Sequence, residues 1–216
     1  MSGKRAKAHR QLLDAQPAPR SPSRRWKFGL SGLVVAAVIT ASFVLPDVLG
    51  KSGLGTGRGA GSGLAVGANV PAFSERNVAS EAAITSHSLG SQKTLLFFSE
   101  GVMCQACFEQ IKGLERLKGE LERRGIKLVS VTPDSPAELR QAISQYGITT
   151  PMIADDNRDM SRAFNVLGQG MHGDTPGHAF VLIEGGTVLW YRDYWLAPTR
   201  TMYVPPTRVL ADLPVA

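Results

Sequence analysis

Acidic residues are nearly missing from the first 66 positions of this chain: two, against ten Lys and Arg. From position 67 onward the shortage reverses, with fourteen basic against sixteen acidic side chains. The formal charge of +6 therefore belongs to the amino-terminal segment. A downstream region without a basic surplus lacks the electrostatic footprint of a nucleic-acid-binding protein, so nucleic acid is not an expected partner. No internal repeat is visible. With 43% hydrophobic and 19% charged residues, the chain also lacks the composition of a disordered protein. At 216 residues, one domain is expected, with length left over for a part that is not globular.

Charge is missing altogether from the 18-residue stretch FGLSGLVVAAVITASFVL, positions 28–45. As a helix it would be about 27 Å long, close to the ~30 Å hydrocarbon core of a bilayer. Arg24, Arg25 and Lys27 stand before it, and Pro46 and Asp47 follow. By the positive-inside rule, residues 1–27 form a basic cytoplasmic tail, 28–45 a single transmembrane helix, and the remainder faces the extracytoplasmic side of the cell membrane. A cleaved signal peptide is the rival, but no small-x-small cleavage site follows the apolar run. Residues 46–66 are glycine-rich without apolar periodicity and read as a flexible linker. The folded domain is expected over 67–216.

That domain alternates apolar runs with amphipathic ones. KTLLFFS at 93–99 and IKLVSVTP at 126–133 read as strands covered on both faces. Phe108, Ile111, Leu114, Leu117 and Leu121 recur at helical spacing, which predicts one helix over 105–124. Ser135, Pro136 and Gly147 supply the cap, first turn and stop of a helix between them. A short strand near 151–154 and a short helix near 158–164 follow. HAFVLIEGGTVLWYRDY reads as two strands joined at Gly185-Gly186, and PPTRVLADL as a last helix. Residues 70–88 leave room for a short hairpin at the front. Two βαβ units followed by a hairpin require an α/β fold: a central mixed sheet with helices on both faces.

Cysteine is scarcer than any charged residue, with two in the chain, Cys104 and Cys107. Cys104 falls where the first strand's loop gives way to a helix. Unpaired backbone N–H groups and the positive end of the helix dipole stabilise a thiolate there, and the thiolate is the reactive form. Cys107 lies one turn on, within bridging reach and with less access to water. Cys104 would attack a partner disulfide, and Cys107 would resolve the mixed disulfide that forms. The competing readings are a static bridge and two inert core thiols. A bridge across one helical turn adds little stability, and CxxC near a βαβ pattern favours exchange.

FFSEGVMCQACFEQIKGLERL, KLVSVTPDS and HAFVLIEGGTVLWYRDY together resemble the redoxin branch of the thioredoxin-like superfamily. That group includes the alkyl hydroperoxide reductase/thiol-specific antioxidant (AhpC/TSA) domain, and exported, membrane-anchored bacterial members belong to it. The resemblance implies a thioredoxin-like fold with Cys104 attacking and Cys107 resolving. It also implies a cis-proline opposite the disulfide. Pro176 is the first candidate, with the backbone of Thr175 pairing with a substrate peptide, and Pro151 after Thr150 is the second. Peroxiredoxins carry a P-x-x-x-[TS]-x-x-C signature. Neither cysteine aligned to it brings a Thr or Ser to the hydroxyl position, and the residues directly before Phe180, TPGHA, include no arginine.

Glu100 stands as a possible proton acceptor for Cys107, and His172 and His178 as cations able to tune Cys104. Two thiolates plus His178 would suit Cu(I), as in exported thioredoxin-fold copper chaperones, although those place three residues between their cysteines rather than two. Zinc through Cys104, Cys107, His172 and His178 does not match the spacing of a finger. The sequence is thus read as a membrane-anchored thiol–disulfide oxidoreductase, with a thiol peroxidase and a Cu(I) chaperone as alternatives. Gln105 and Ala106 put no cation between the cysteines, which favours a reductant over a strong oxidant. The expected partners are protein thiols and disulfides, a membrane electron donor, and lipid around the amino-terminal helix. No cofactor beyond the Cys104–Cys107 disulfide is expected.

Overall fold

A computed structural model describes residues 62–196 and 198–214. The tail at 1–27, the apolar span at 28–45 and all but the end of the linker at 46–66 lie outside the described residues. Among the described residues no helix is long and apolar enough to cross a membrane.

A front hairpin of β1 (Ser74–Arg76) and β2 (Ala83–Thr85) leads into the short helix α1 (Ser86–Gly90). Then come β3 (Lys93–Phe98), α2 (Gln105–Glu115), α3 (Lys118–Arg123) and β4 (Ile126–Thr132). The chain continues through α4 (Pro136–Tyr146), β5 (Met152–Ala154) and α5 (Asp159–Ala163). The hairpin β6 (Ala179–Glu184) and β7 (Thr187–Asp193) precedes α6 (Pro206–Asp212). The main sheet runs β5-β4-β3-β6-β7. β3, β4 and β5 are parallel, whereas β6 pairs antiparallel with β3 and β7 with β6. This is the mixed α/β, thioredoxin-like arrangement expected from the sequence.

Strand alternation divides the core into two layers, because successive side chains leave a strand on opposite faces. Leu95 and Phe97 of β3 join Phe180 and Leu182 of β6 against Phe108, Ile111 and Leu114 of α2, Leu139 of α4 and Val209 of α6. Leu96, Phe98, Val181 and Ile183 form the other layer with Met160 of α5 and Phe164. Both cysteines sit in the first layer. There Phe97 and Phe180 stack at 4.5 Å between ring centroids.

Most local signals act as read. Ser135 and Glu138 form a capping box, Pro136 occupies the first turn of α4, and Gly147 closes it with φ of 59°. Two expectations change. The helix over 105–124 is broken after Glu115. Leu117 is half a turn out of phase with Phe108 at about 100° per residue, so a straight helix would aim it away from the sheet. The break lets Leu117 pack against the first layer. Ordered packing also begins inside the stretch assigned to the linker. The Gly63 N–H donates to the Asn165 carbonyl at 2.9 Å, and Leu64 packs on the second layer. A side chain at Gly63 would overlap the Tyr191 ring.

Candidate active site

β3 ends at Phe98, and a short loop with one 3-10 turn (Gly101–Met103) carries the chain to α2. Cys104 caps that helix. Its Sγ accepts the Cys107 N–H at 3.2 Å, so the sulfur occupies the position usually taken by a capping oxygen. Cys104 and Cys107 are joined as a disulfide with Cα atoms 5.3 Å apart. Access is unequal: Cys104 retains 4% of its surface and Cys107 none. An incoming thiol therefore has one sulfur to reach. Val102 and Met103, immediately before Cys104, are exposed. An open cleft beside the start of α2 is lined by Gln105, Ala106, Glu109 and Tyr203.

Three buried carboxylates anchor the surrounding loops. Asp134, just after β4, accepts the Val102 N–H with both oxygens at 3.0 and 3.1 Å. Burial pushes its pKa up, opposed by that hydrogen bond. Gly101 lies against the same carboxylate at φ of 78°, and a Cβ there would overlap it. Asp193, at the end of β7, accepts from the His178 N–H at 3.2 Å and the Trp195 N–H at 2.8 Å. Burial raises its pKa as well.

The third carboxylate is Glu100, whose side chain has no exposure. It does not face Cys107, as the sequence reading supposed. It accepts from the N–H groups of Met171 and His172, from His172 Nδ1 at 3.0 Å and from Thr175 Oγ1 at 3.4 Å. Its work is to hold the loop that leads into β6. His172 is spent on the same pairing, with 48% of its side chain in solvent. Pro176 is buried at the end of this loop and bridges to Leu167. The Thr175 carbonyl already accepts the Gly170 N–H at 3.1 Å, so that oxygen is engaged within the chain.

His178, one residue before β6, reaches the disulfide from beneath. Its Nδ1 stands 4.0 Å from Cys107 Sγ, and its Nε2 lies 3.2 Å from Gln110 Oε1. The approach is to Cys107 rather than to Cys104, contrary to the sequence expectation. Phe97 packs on the imidazole edge-on at 4.7 Å. Burial pushes the pKa of His178 down to about 3, so the ring is neutral beside the disulfide. Among the described residues no group of three or more His, Cys, Asp or Glu side chains is placed to hold a metal ion.

Gln110, Asp134 and Asp193 were not singled out from the sequence. Gln110 carried a signal, since it is a polar residue on the apolar face of α2 one turn beyond Cys107. Asp134 follows β4 closely and Asp193 closes β7, and both resemble ordinary turn residues until burial is known.

With this geometry in place, comparison with known proteins is decisive for family. Residues 66–191 match the model of the AhpC/TSA family. The chain belongs to the AhpC/TSA family. Among similar proteins is a putative peroxiredoxin of Haemophilus influenzae, 26% identical over 135 residues, which span 58% of this chain and 84% of the relative. A putative peroxiredoxin of Mycobacterium tuberculosis is 23% identical over 45% of this chain and 66% of its own length. Among solved structures, PrxQ of Xylella fastidiosa superposes with a TM-score of 0.57 at 16% identity, covering 70% of this chain and 96% of that one. Peroxidoxin BcpB of M. tuberculosis gives 0.56 at 17% identity, covering 68% and 94%. At these identities the structural likeness establishes the AhpC/TSA-type fold.

Proposed function

We propose that this AhpC/TSA-family chain is a thiol–disulfide oxidoreductase working through Cys104 and Cys107. One observation carries the reading: the disulfide closes at the capping position of α2, with its first sulfur on an amide N–H and its second sealed. In the reduced form, the Cys104 thiolate attacks a client disulfide, forming a Cys104–client bond and expelling one client sulfur as a thiolate. Cys107 then attacks Cys104, the Cys104–client bond breaks, and the second client sulfur leaves with the electron pair. The client is reduced by two electrons and the pair is oxidised. A dithiol donor restores it by the reverse sequence. The neutral Gln105 and Ala106 support the reducing direction.

The family and its relatives described as putative peroxiredoxins support a second reading, a thiol peroxidase in which peroxide takes the place of the client disulfide. The two separate in one assay. The full chain is given a dithiol donor and either a protein disulfide or hydrogen peroxide. Fast disulfide reduction with slow peroxide turnover supports the oxidoreductase, and the opposite ranking establishes the peroxidase.

We further propose that residues 28–45 anchor the protein in the cell membrane, with the domain extracytoplasmic and supplied with electrons by a membrane donor. The uncharged run and the basic residues before it support this. Fractionation compares the full chain with a form lacking residues 1–61. Membrane recovery of the first alone is expected, and recovery of both in the soluble fraction would overturn the anchor.

A further inference from the structure

Gln110 and His178 are both fully buried, and their hydrogen bonds leave no freedom of assignment. The Val204 N–H donates to Gln110 Oε1 at 2.7 Å, so the amide cannot be turned without setting two donors against each other. The same oxygen faces His178 Nε2, which must therefore carry the ring proton. A neutral imidazole has one, so Nδ1 presents a lone pair, and that lone pair faces Cys107 Sγ at 4.0 Å. The arrangement has a cost. Gln110 Nε2 is buried without a partner, an omission worth about 1–3 kcal/mol. A side chain kept at that cost to hold one tautomer points to a use for the tautomer.

We infer that His178 is the proton acceptor for Cys107 in the resolving step, with Gln110 as the positioning residue that keeps its Nδ1 open. The inference rests on the exchange reading above. When Cys104 is bound to a client, Cys107 is a protonated thiol without access to water. Its proton passes to Nδ1 as Cys107 Sγ bonds to Cys104 Sγ and the Cys104–client bond breaks. The client sulfur departs with the electron pair and takes up the proton that the imidazolium gives back. The net change is one S–S bond formed, one broken, and one proton moved from Cys107 to the client.

The surroundings suit a transient acceptor. α2 presents Cys107 and Gln110 to the ring, and β3 and β6 present Phe97 and Phe180. The carboxylate at this position is Asp193 of β7, which holds the His178 main-chain N–H. Once the disulfide has closed, no thiolate remains to pair with the imidazolium. Burial, which holds the pKa near 3 in that state, then expels the proton.

The test uses the reduced full chain and one equivalent of an aromatic disulfide that releases a coloured thiol. A first phase reports attack by Cys104, and a second reports resolution by Cys107. His178→Ala is expected to leave the first phase intact and slow the second at pH 7 by at least about tenfold, the lower range of general base catalysis. The deficit should shrink as pH rises and Cys107 ionises unaided. A second phase at the wild-type rate, or one slowed equally at every pH, would overturn the inference while leaving the exchange reading intact. Absence of the first phase in the wild type would instead sink the exchange reading. Imidazole 15N spectra of the wild type decide the matter independently of any variant. Nε2 should be protonated in the oxidised form, and the Nδ1 resonance should move on reduction as Cys107 begins to donate to it. An Nδ1 resonance indifferent to redox state would refute the assignment.

Discussion

Glu100 and His172 form a hydrogen-bonded pair in which one partner is sealed and the other is half in water, with Nδ1 and Oε2 3.0 Å apart. The pair closes a set of four donors onto one carboxylate, drawn from Met171, His172 and Thr175. It joins the loop before the disulfide to the loop before β6. The loop before the disulfide is thereby held at Glu100 by the loop before β6 and at Val102 by Asp134.

Removing that carboxylate leaves buried donors without an acceptor. Glu100→Ala is expected to cost about 2–4 kcal/mol in denaturant unfolding, with Glu100→Gln nearer the lower end. Protease cleavage near 170–175 should accelerate in the variant, whereas a loop unaffected by the change would show unaltered cleavage. Disulfide exchange should slow through disorder at the entrance, without loss of the cysteine chemistry itself.

Gly101 and Asp134 predict a second, separable effect. The backbone at Gly101 has φ of 78°, and a Cβ would strike the carboxylate that holds Val102. Gly101→Ala should destabilise the domain by about 2 kcal/mol or more, combining left-handed strain with overlap. Asp134→Asn retains an acceptor for the Val102 N–H and sheds the burial penalty on the charge, so its effect should be small. Thermal melting of both variants checks the ranking, and equal losses would contradict it.

Acid stability depends on Glu115. Burial alone would raise its pKa, but hydrogen bonds from Lys112, from the N–H groups of Thr149 and Thr150 and from the Thr150 hydroxyl outweigh it, bringing the value from 4.5 to about 2. The unfolded chain therefore binds the proton more readily than the folded one. Stability from this group is complete above about pH 4.5 and is lost as pH falls toward about 2. Glu115→Gln should lower stability at pH 7 by about 2 kcal/mol, after allowance for solvent screening, and flatten the acid slope in that window. Urea midpoints from pH 2 to 7 provide the measurement, and parallel curves for the two proteins would refute the assignment.

Much of this molecule is written locally. The capping box of α4, the Gly185-Gly186 hairpin and the two-sided runs of β3 and β4 each follow from residue order and backbone preference. The position of Cys104 at a helix start follows in the same way, because a strand, a short loop and an amphipathic run can be read without knowing their partners. The placement of His178 cannot be read so. It depends on β6 pairing antiparallel with β3, which brings a residue 71 positions from Cys107 against its sulfur. Glu100 and His172 likewise look like solvated loop residues until two distant loops meet. The break after Glu115 was present in the spacing from Phe108 to Leu117, as a phase drift that a count of apolar matches hides.

The central claim is a division of labour, in which Cys104 makes the bond to the client and Cys107 releases it. The most direct test incubates reduced Cys107→Ala and Cys104→Ala full chains with a disulfide-bonded protein substrate and resolves the products by non-reducing mass analysis. The account predicts a stable covalent adduct with Cys107→Ala, joined through Cys104, and none with Cys104→Ala. An adduct formed through Cys107, or no adduct with either variant, would contradict it.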